Sequence, residues 1–358
     1  MGMMVFLARW VARACAHGCC RFQSLMRRIF RLIPIAGLLL WVACTSSDLG
    51  RPWVPHKPAA MSFLGNWAQG RPVDPAPTRA DVAYGEHSRH RFDFWAAPGE
   101  GSRPLFVYFH GGGFDFGNKW ELRPSVVRAL LDRGVSVVSC NYRLVKDGSL
   151  PQPIHDGARA VQYLRHHAAE FGVDPRRMAG GGFSAGGLMA LWLTLHDDLA
   201  DPGSDDPIAR QSTRLACAAV CDAPTNLVAP EVYAWFGVPV LREYPSARRC
   251  FDISSIDQLR DPAIVALARR VSPWHHVTPD DPPVYISHTG RNSRVTRYTR
   301  PTTWVHHPQF GIKLQERMVA AGIECTLHYR DSESPKIYRD GVDFIARQLG
   351  KPFGGDEN

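Results

Sequence analysis

The run Gly180-Gly181-Gly182-Phe183-Ser184-Ala185-Gly186-Gly187 sets one serine hydroxyl between glycines, directly before an apolar stretch over residues 188–195. A serine on a tight strand-to-helix turn can serve as a nucleophile, because the turn holds its hydroxyl clear of both elements. Such a turn is crowded, and the positions two residues to either side must be nearly without side chains; Gly182 and Gly186 meet that condition. The Ala185 N–H then lies at a helix N-terminus, aimed where negative charge forms on an attacked carbonyl oxygen. Alone, this spacing is also what a glycine-rich turn produces.

A second stretch supplies the rest of the chemistry. His110-Gly111-Gly112-Gly113-Phe114 follows Leu105-Phe106-Val107-Tyr108-Phe109, a run of buried-strand character. Three glycines let the chain fold back so that the N–H groups of Gly112 and Gly113 point inward beside the serine, where a Cβ would obstruct a bound acyl group. With Ala185 they make an expected oxyanion hole. A serine hydroxyl is a poor nucleophile at neutral pH and needs a base within hydrogen-bond reach, itself oriented by a carboxylate.

Those groups need a scaffold, and the chain reads as an alternation of strands and helices. Strands are expected at 81–84, 91–96, 104–109, 135–140, near Arg177, and at 215–220, 283–288 and 324–329. Helices are expected at 123–133 (Val126, Val127, Leu130 and Leu131 on one side, Gly134 at the end), 154–171 (stopped by Gly172), 308–321 and 337–349. This order predicts an α/β architecture: a mostly parallel, doubly wound sheet with helices on both faces and right-handed crossovers. Residues 226–276 carry Tyr233, Trp235, Phe236, Tyr244, Phe251 and Trp274 without a sustained strand pattern. They read either as a lid whose aromatics wall an acyl or aryl pocket, or as an insertion packing its own small core.

The 358 residues are 45% hydrophobic and 21% charged, enough to bury a large core. Of the net charge of +8, six units come from Arg9, Arg13, Arg21, Arg27, Arg28 and Arg31, leaving about +2 for the remainder, so the basicity belongs to a leader and argues for no nucleic-acid partner. Met26-Arg27-Arg28-Ile29-Phe30-Arg31, the apolar residues 32–42 and Ala43-Cys44 resemble a bacterial lipoprotein signal, with Trp41 where leucine is usual. The expectation is an exported, periplasmic or membrane-anchored lipoprotein beginning at a lipidated Cys44, with Met1 or Met26 as its start; the alternatives are an ordinary secretory signal or an uncleaved anchor. The divisions are a leader at 1–43, an arm at 44–80, the α/β domain at 81–350 and a tail at 351–358. Among the five cysteines after Cys44, a pairing of Cys250 with Cys217 or Cys221 stays open; Cys140 and Cys325 read as small buried apolar residues. No ligand spacing suggests a metal, and no organic cofactor is expected.

The order of motifs resembles the α/β-hydrolase superfamily, and within it the carboxylesterases with a His-Gly-Gly-Gly motif, the hormone-sensitive-lipase-like and feruloyl-esterase-like enzymes. The resemblance covers residues 81–349. Beyond the two glycine motifs it rests on Tyr84-Gly85, Phe92-Asp93-Phe94, Asn141-Tyr142-Arg143-Leu144, Asp174-Pro175-Arg176-Arg177, Ser272-Pro273-Trp274 and Asp281-Pro282-Pro283. It implies Ser184 as nucleophile, Gly112, Gly113 and Ala185 as oxyanion donors, a small-molecule ester as substrate and a chain order of serine, acid, histidine.

Two members of that order are missing. The acid's place, four residues after His288, holds Asn292, and the loop after the last strand, 331–336, holds no histidine. One reading brings His306 or His307 in as the base, with Asp331 or Glu333 to orient it; the two histidines also read as surface residues near a helix N-terminus, and His328 lies inside a strand. A second reading is a catalytically impaired hydrolase-fold lipoprotein that binds a carbonyl ligand or a partner. A third keeps residual acyl transfer on oxyanion stabilisation alone, roughly a thousandfold over water.

Overall fold

Eight strands pair into one sheet in the order β1-β2-β4-β3-β5-β6-β7-β8. They are β1 Arg79–Ala83, β2 Arg91–Trp95, β3 Arg103–Phe109, β4 Ser136–Cys140, β5 Val173–Phe183, β6 Cys217–Cys221, β7 Val284–His288 and β8 Cys325–Tyr329. β1 and β2 run antiparallel, and every pairing from β4 to β8 is parallel. This computed structural model describes residues 75–333 and 337–350. The leader, most of the arm and the tail lie outside the described residues.

Side-chain alternation along the strands explains why helices cover both faces. On β3, Leu105, Val107 and Phe109 face one apolar layer while Phe106 and Tyr108 face the other. The first layer is closed by α2 (Gln152–His166), α4 (Ala185–Leu195) and α9 (Gln309–Ala320), the second by α1 (Pro124–Leu131) and α10 (Gly341–Leu349). Every residue of α4 is buried, as expected of a helix that is apolar on all sides, so the serine turn opens onto the best-anchored helix of the fold.

The predicted helix at 154–171 is two elements, α2 and the single turn α3 (Ala168–Phe171), because His167 leaves helical geometry between them; Gly172 closes the pair at φ 62°. The last helix begins at Gly341 rather than Ile337, since the Asp340 carboxylate accepts the Asp343 N–H as an N-cap. Residues 226–276 contain α5 (Ala229–Phe236), α6 (Ala247–Phe251) and α7 (Pro262–Arg270) with two 3-10 turns. Their aromatics divide: Phe251 joins the first layer, whereas Tyr233, Trp235 and Phe236 pack with Val232, Leu241 and Phe310 in a small separate cluster. A disulfide from Cys250 to Cys217 or Cys221 is not formed: all five described cysteines are free and buried, and the latter two sit within the central sheet.

Candidate active site

The elbow exists because two backbones nearly touch. A Cβ at Gly186 would lie 2.1 Å from the Phe109 carbonyl oxygen, and one at Gly182 would lie 2.3 Å from the Gly186 carbonyl carbon. Ser184 itself takes φ 53° and ψ −118°, a conformation that costs a non-glycine residue about 1–3 kcal/mol and persists where the surroundings over-determine it. Here they do: the Ser184 N–H donates to Cys221 O at 3.0 Å, and its carbonyl accepts from Leu188 N at 2.9 Å. The residue is buried, yet it borders a cavity of about 110 Å³ together with Gly113 and Ala185.

His306 reaches the serine. Its Nε2 lies 2.8 Å from Ser184 Oγ. The imidazole arrives on the excursion between β7 and β8, just after the short helix α8 (Pro301–Trp304). To take the serine proton the ring must present its Nε2 lone pair to the hydroxyl and keep its own proton on Nδ1. Burial pushes His306 below the ordinary histidine range; the Asp222 charge and the Thr302 carbonyl pull the other way without overcoming it. The ring is neutral near pH 7 and ready to accept a proton.

The carboxylate that acts on His306 comes from the end of β6. Asp222, at φ 51°, accepts Thr289 N at 2.8 Å and Thr289 Oγ1 at 2.7 Å, and lies 3.6 Å from His288 Nδ1. Burial raises its pKa, but the hydrogen bond and charge of His288, the charge of His306 and the Thr289 hydroxyl outweigh burial and hold it below the usual carboxylate range. His288 Nδ1 also lies 3.1 Å from the His306 carbonyl oxygen, which ties the base-bearing segment to the end of β7.

The expected orienting acids stand elsewhere. Asp331 accepts the Asn292 N–H and exerts its charge on His307, while Glu333 is exposed. His307 faces away from the serine: its Nε2–H donates to Ser293 O at 2.8 Å and its Nδ1 accepts the Gln309 N–H at 3.0 Å, capping the start of α9. His328 packs its ring against Tyr285 on the sheet.

The glycine loop is held by its own histidine. Burial first, and then the charge of Arg89, lowers the His110 pKa to about 3, so the ring is neutral. Arg89 Nη2 lies 3.1 Å from Nε2, which must accept, and Nδ1–H therefore donates to Gly111 O at 2.8 Å. The ring stacks on Tyr142, whose hydroxyl donates to His110 O at 2.7 Å. This gives the Asn141-Tyr142-Arg143 motif a physical role. Gly112 (φ 101°) and Gly113 (φ 60°) turn the chain; Gly113 and Ala185 border the cavity beside Ser184, and Gly112 sits one residue back with its carbonyl accepting from Asp115 N and Phe116 N.

Asp222 and Arg89 carry no motif, and His288 entered the sequence reading only as the marker from which the acid's place is counted. The signal that could have found Asp222 is positional: it leaves the carboxyl end of the strand next to the elbow strand, where open α/β sheets place their ligands.

The BD-FAE family model matches residues 93–300, more than half of the chain. An AB hydrolase superfamily protein of Schizosaccharomyces pombe is 35% identical over 127 residues, covering 36% of each chain. The probable carboxylic ester hydrolase LipM of Mycobacterium tuberculosis is 26% identical over 234 residues, 59% of this chain and 47% of that protein. The chain thus spans less than half the length of these curated relatives. Among solved structures, a truncated form of a carbohydrate esterase from gut microbiota superposes with a TM-score of 0.59 at 19% identity, covering 76% of this chain and 96% of that one, which is a likeness of fold. The chain belongs to the BD-FAE family, within the α/β-hydrolase superfamily.

Proposed function

We propose that the protein is a carboxylic ester hydrolase working through an acyl-Ser184 intermediate. The observation that carries this reading is the 2.8 Å contact between Ser184 Oγ and His306 Nε2 beside an apolar cavity. Ser184 Oγ attacks the ester carbonyl carbon as its proton passes to His306 Nε2, and the carbonyl electrons move onto oxygen. The amides of Gly112, Gly113 and Ala185 receive that oxyanion, each such donor being worth roughly 10²–10³ in rate. Collapse expels the alcohol, which takes the proton back from His306. A water then repeats the sequence and frees the acid. Leu188, Leu227, Val232, Leu241, Phe251 and Phe310 line the cavity, which favours an apolar acyl or aryl group on the acid side of the ester. The names of relatives such as LipM support the ester class. The placement of His306 favours turnover over the reading of a fold that only binds.

In this mechanism Asp222 stabilises the His306 imidazolium by its charge. Because the base must be neutral in the free enzyme, kcat/KM rises with pH through the His306 pKa and is flat above it, with the midpoint below the ordinary histidine value. Asp222→Asn removes a charge that raises that pKa, so the midpoint moves to still lower pH. The plateau falls by roughly 10–100-fold, less than the ~10⁴ lost when a directly bonded carboxylate is neutralised. A pH–rate profile of both proteins checks this; an unmoved midpoint rules out the charge role.

The leader supports a second proposal, export and lipid anchoring at Cys44. Radiolabelled palmitate is expected to mark the full chain and not Cys44→Ser, which leaves the membrane fraction; equal labelling of both would reject the anchor.

A further inference from the structure

The turn that presents Gly112 and Gly113 is expensive to hold. Three consecutive residues have positive φ, Gly112 at 101°, Gly113 at 60° and Phe114 at 59°. A backbone of that kind keeps its shape when it is fastened from more than one side. His110 and Tyr142 fasten the strand side. The other side is fastened by α6, a helix of the inserted segment more than 130 residues away in sequence. Arg249 Nε donates to Asp115 Oδ1 at 2.9 Å and its Nη2 bonds Asp115 Oδ2, a two-pronged fork on one carboxylate. Buried Ser246 adds its hydroxyl to the same Oδ2 at 3.3 Å. Cys250 Sγ lies 3.5 Å from Gly113 O, and the Tyr244 ring stands so close that a Cβ at Gly113 would meet it at 2.8 Å. Ala247, Cys250 and Phe251 of α6 also wall the acyl cavity. One helix therefore touches both the space for the acyl group and the turn that holds the oxyanion donors.

We propose that Arg249 is a positioning residue: its fork on Asp115 couples the inserted segment to the Gly112-Gly113 turn, so that the oxyanion donors align when that segment is docked. This rests on the ester-hydrolase reading and extends it from the residues that react to one that touches no reacting atom. Misaligned donors weaken binding of the transition state and leave binding of the neutral ester nearly unchanged, so the loss falls on kcat.

The test compares wild type with Arg249→Gln and Arg249→Lys on p-nitrophenyl butyrate. Arg249→Gln is expected to lower kcat about 10- to 30-fold with KM within about twofold, and to weaken a boronic-acid transition-state analogue in parallel with kcat. Arg249→Lys restores part of the loss, since an ammonium supplies the charge without the fork. Arg249 is half exposed, so salt screens the pair: in wild type kcat falls between about 0.05 and about 1 M NaCl, and in Arg249→Gln it does not. A wild-type kcat in Arg249→Gln, or a loss confined to KM or to the melting temperature, overturns the proposal. Should that variant fail to fold, a salt-independent wild-type kcat overturns it instead. Wild type that cleaves no ester rejects the hydrolase reading and the coupling with it, whereas an active wild type with indifferent Arg249 variants rejects the coupling alone.

Discussion

Ser184→Ala is expected to lower kcat on p-nitrophenyl butyrate by about 10⁵–10⁶-fold and to abolish labelling by a fluorophosphonate probe. Alanine keeps the Cβ, so the φ 53° turn is no more strained than before, and the backbone bonds to Cys221 and Leu188 stay in place. What disappears is the oxygen 2.8 Å from His306. Removing that one buried hydrogen bond costs about 1 kcal/mol, a shift of a few degrees in melting temperature for a chain of this size. The rate therefore collapses while the fold persists. If a melting curve shows Ser184→Ala folded and ester cleavage continues at more than about a hundredth of the wild-type rate, the acyl-serine mechanism is wrong.

The second large effect separates two neighbours. His306→Gln is expected to lower kcat by about 10⁴–10⁵-fold, because the amide cannot take a proton from the serine. His307→Gln should stay within about tenfold of wild type in kcat. Its price is stability, about 1–2 kcal/mol, since the lost imidazole capped α9 and held Ser293 O. Steady-state kinetics and thermal melts on both variants read the two effects independently. An inactive His307→Gln beside an active His306→Gln would reverse the assignment of the base.

Why one imidazole and not the other was beyond the sequence has a physical reason. The two histidines are consecutive in an aperiodic excursion of about twenty residues, and consecutive side chains outside a helix point in different directions. Which one turns inward is fixed by α8, a single turn too short to leave a periodic signal, and by His288 holding the His306 carbonyl. The carboxylate was hidden differently. Asp222 stands at a strand exit, where a reader of the chain-order pattern looks past it to Asn292. By contrast, the serine turn, the glycine loop and the two-faced strands are specified locally, by crowding that excludes side chains and by an alternation that needs no distant partner. Phe106 and Phe109 announce opposite layers from their own positions in β3. The fork from Arg249 to Asp115 spans elements far apart in the chain and leaves no trace in either segment alone.

The segment that delivers the imidazole is held to the sheet by its own main chain, because His288 at the end of β7 bonds the His306 carbonyl. Base and nucleophile are consequently fastened to adjacent strands, the Ser184 N–H to Cys221 of β6 and the His306 carbonyl to His288 of β7. The distance the proton crosses is thus set by the spacing of two paired strands rather than by either loop alone.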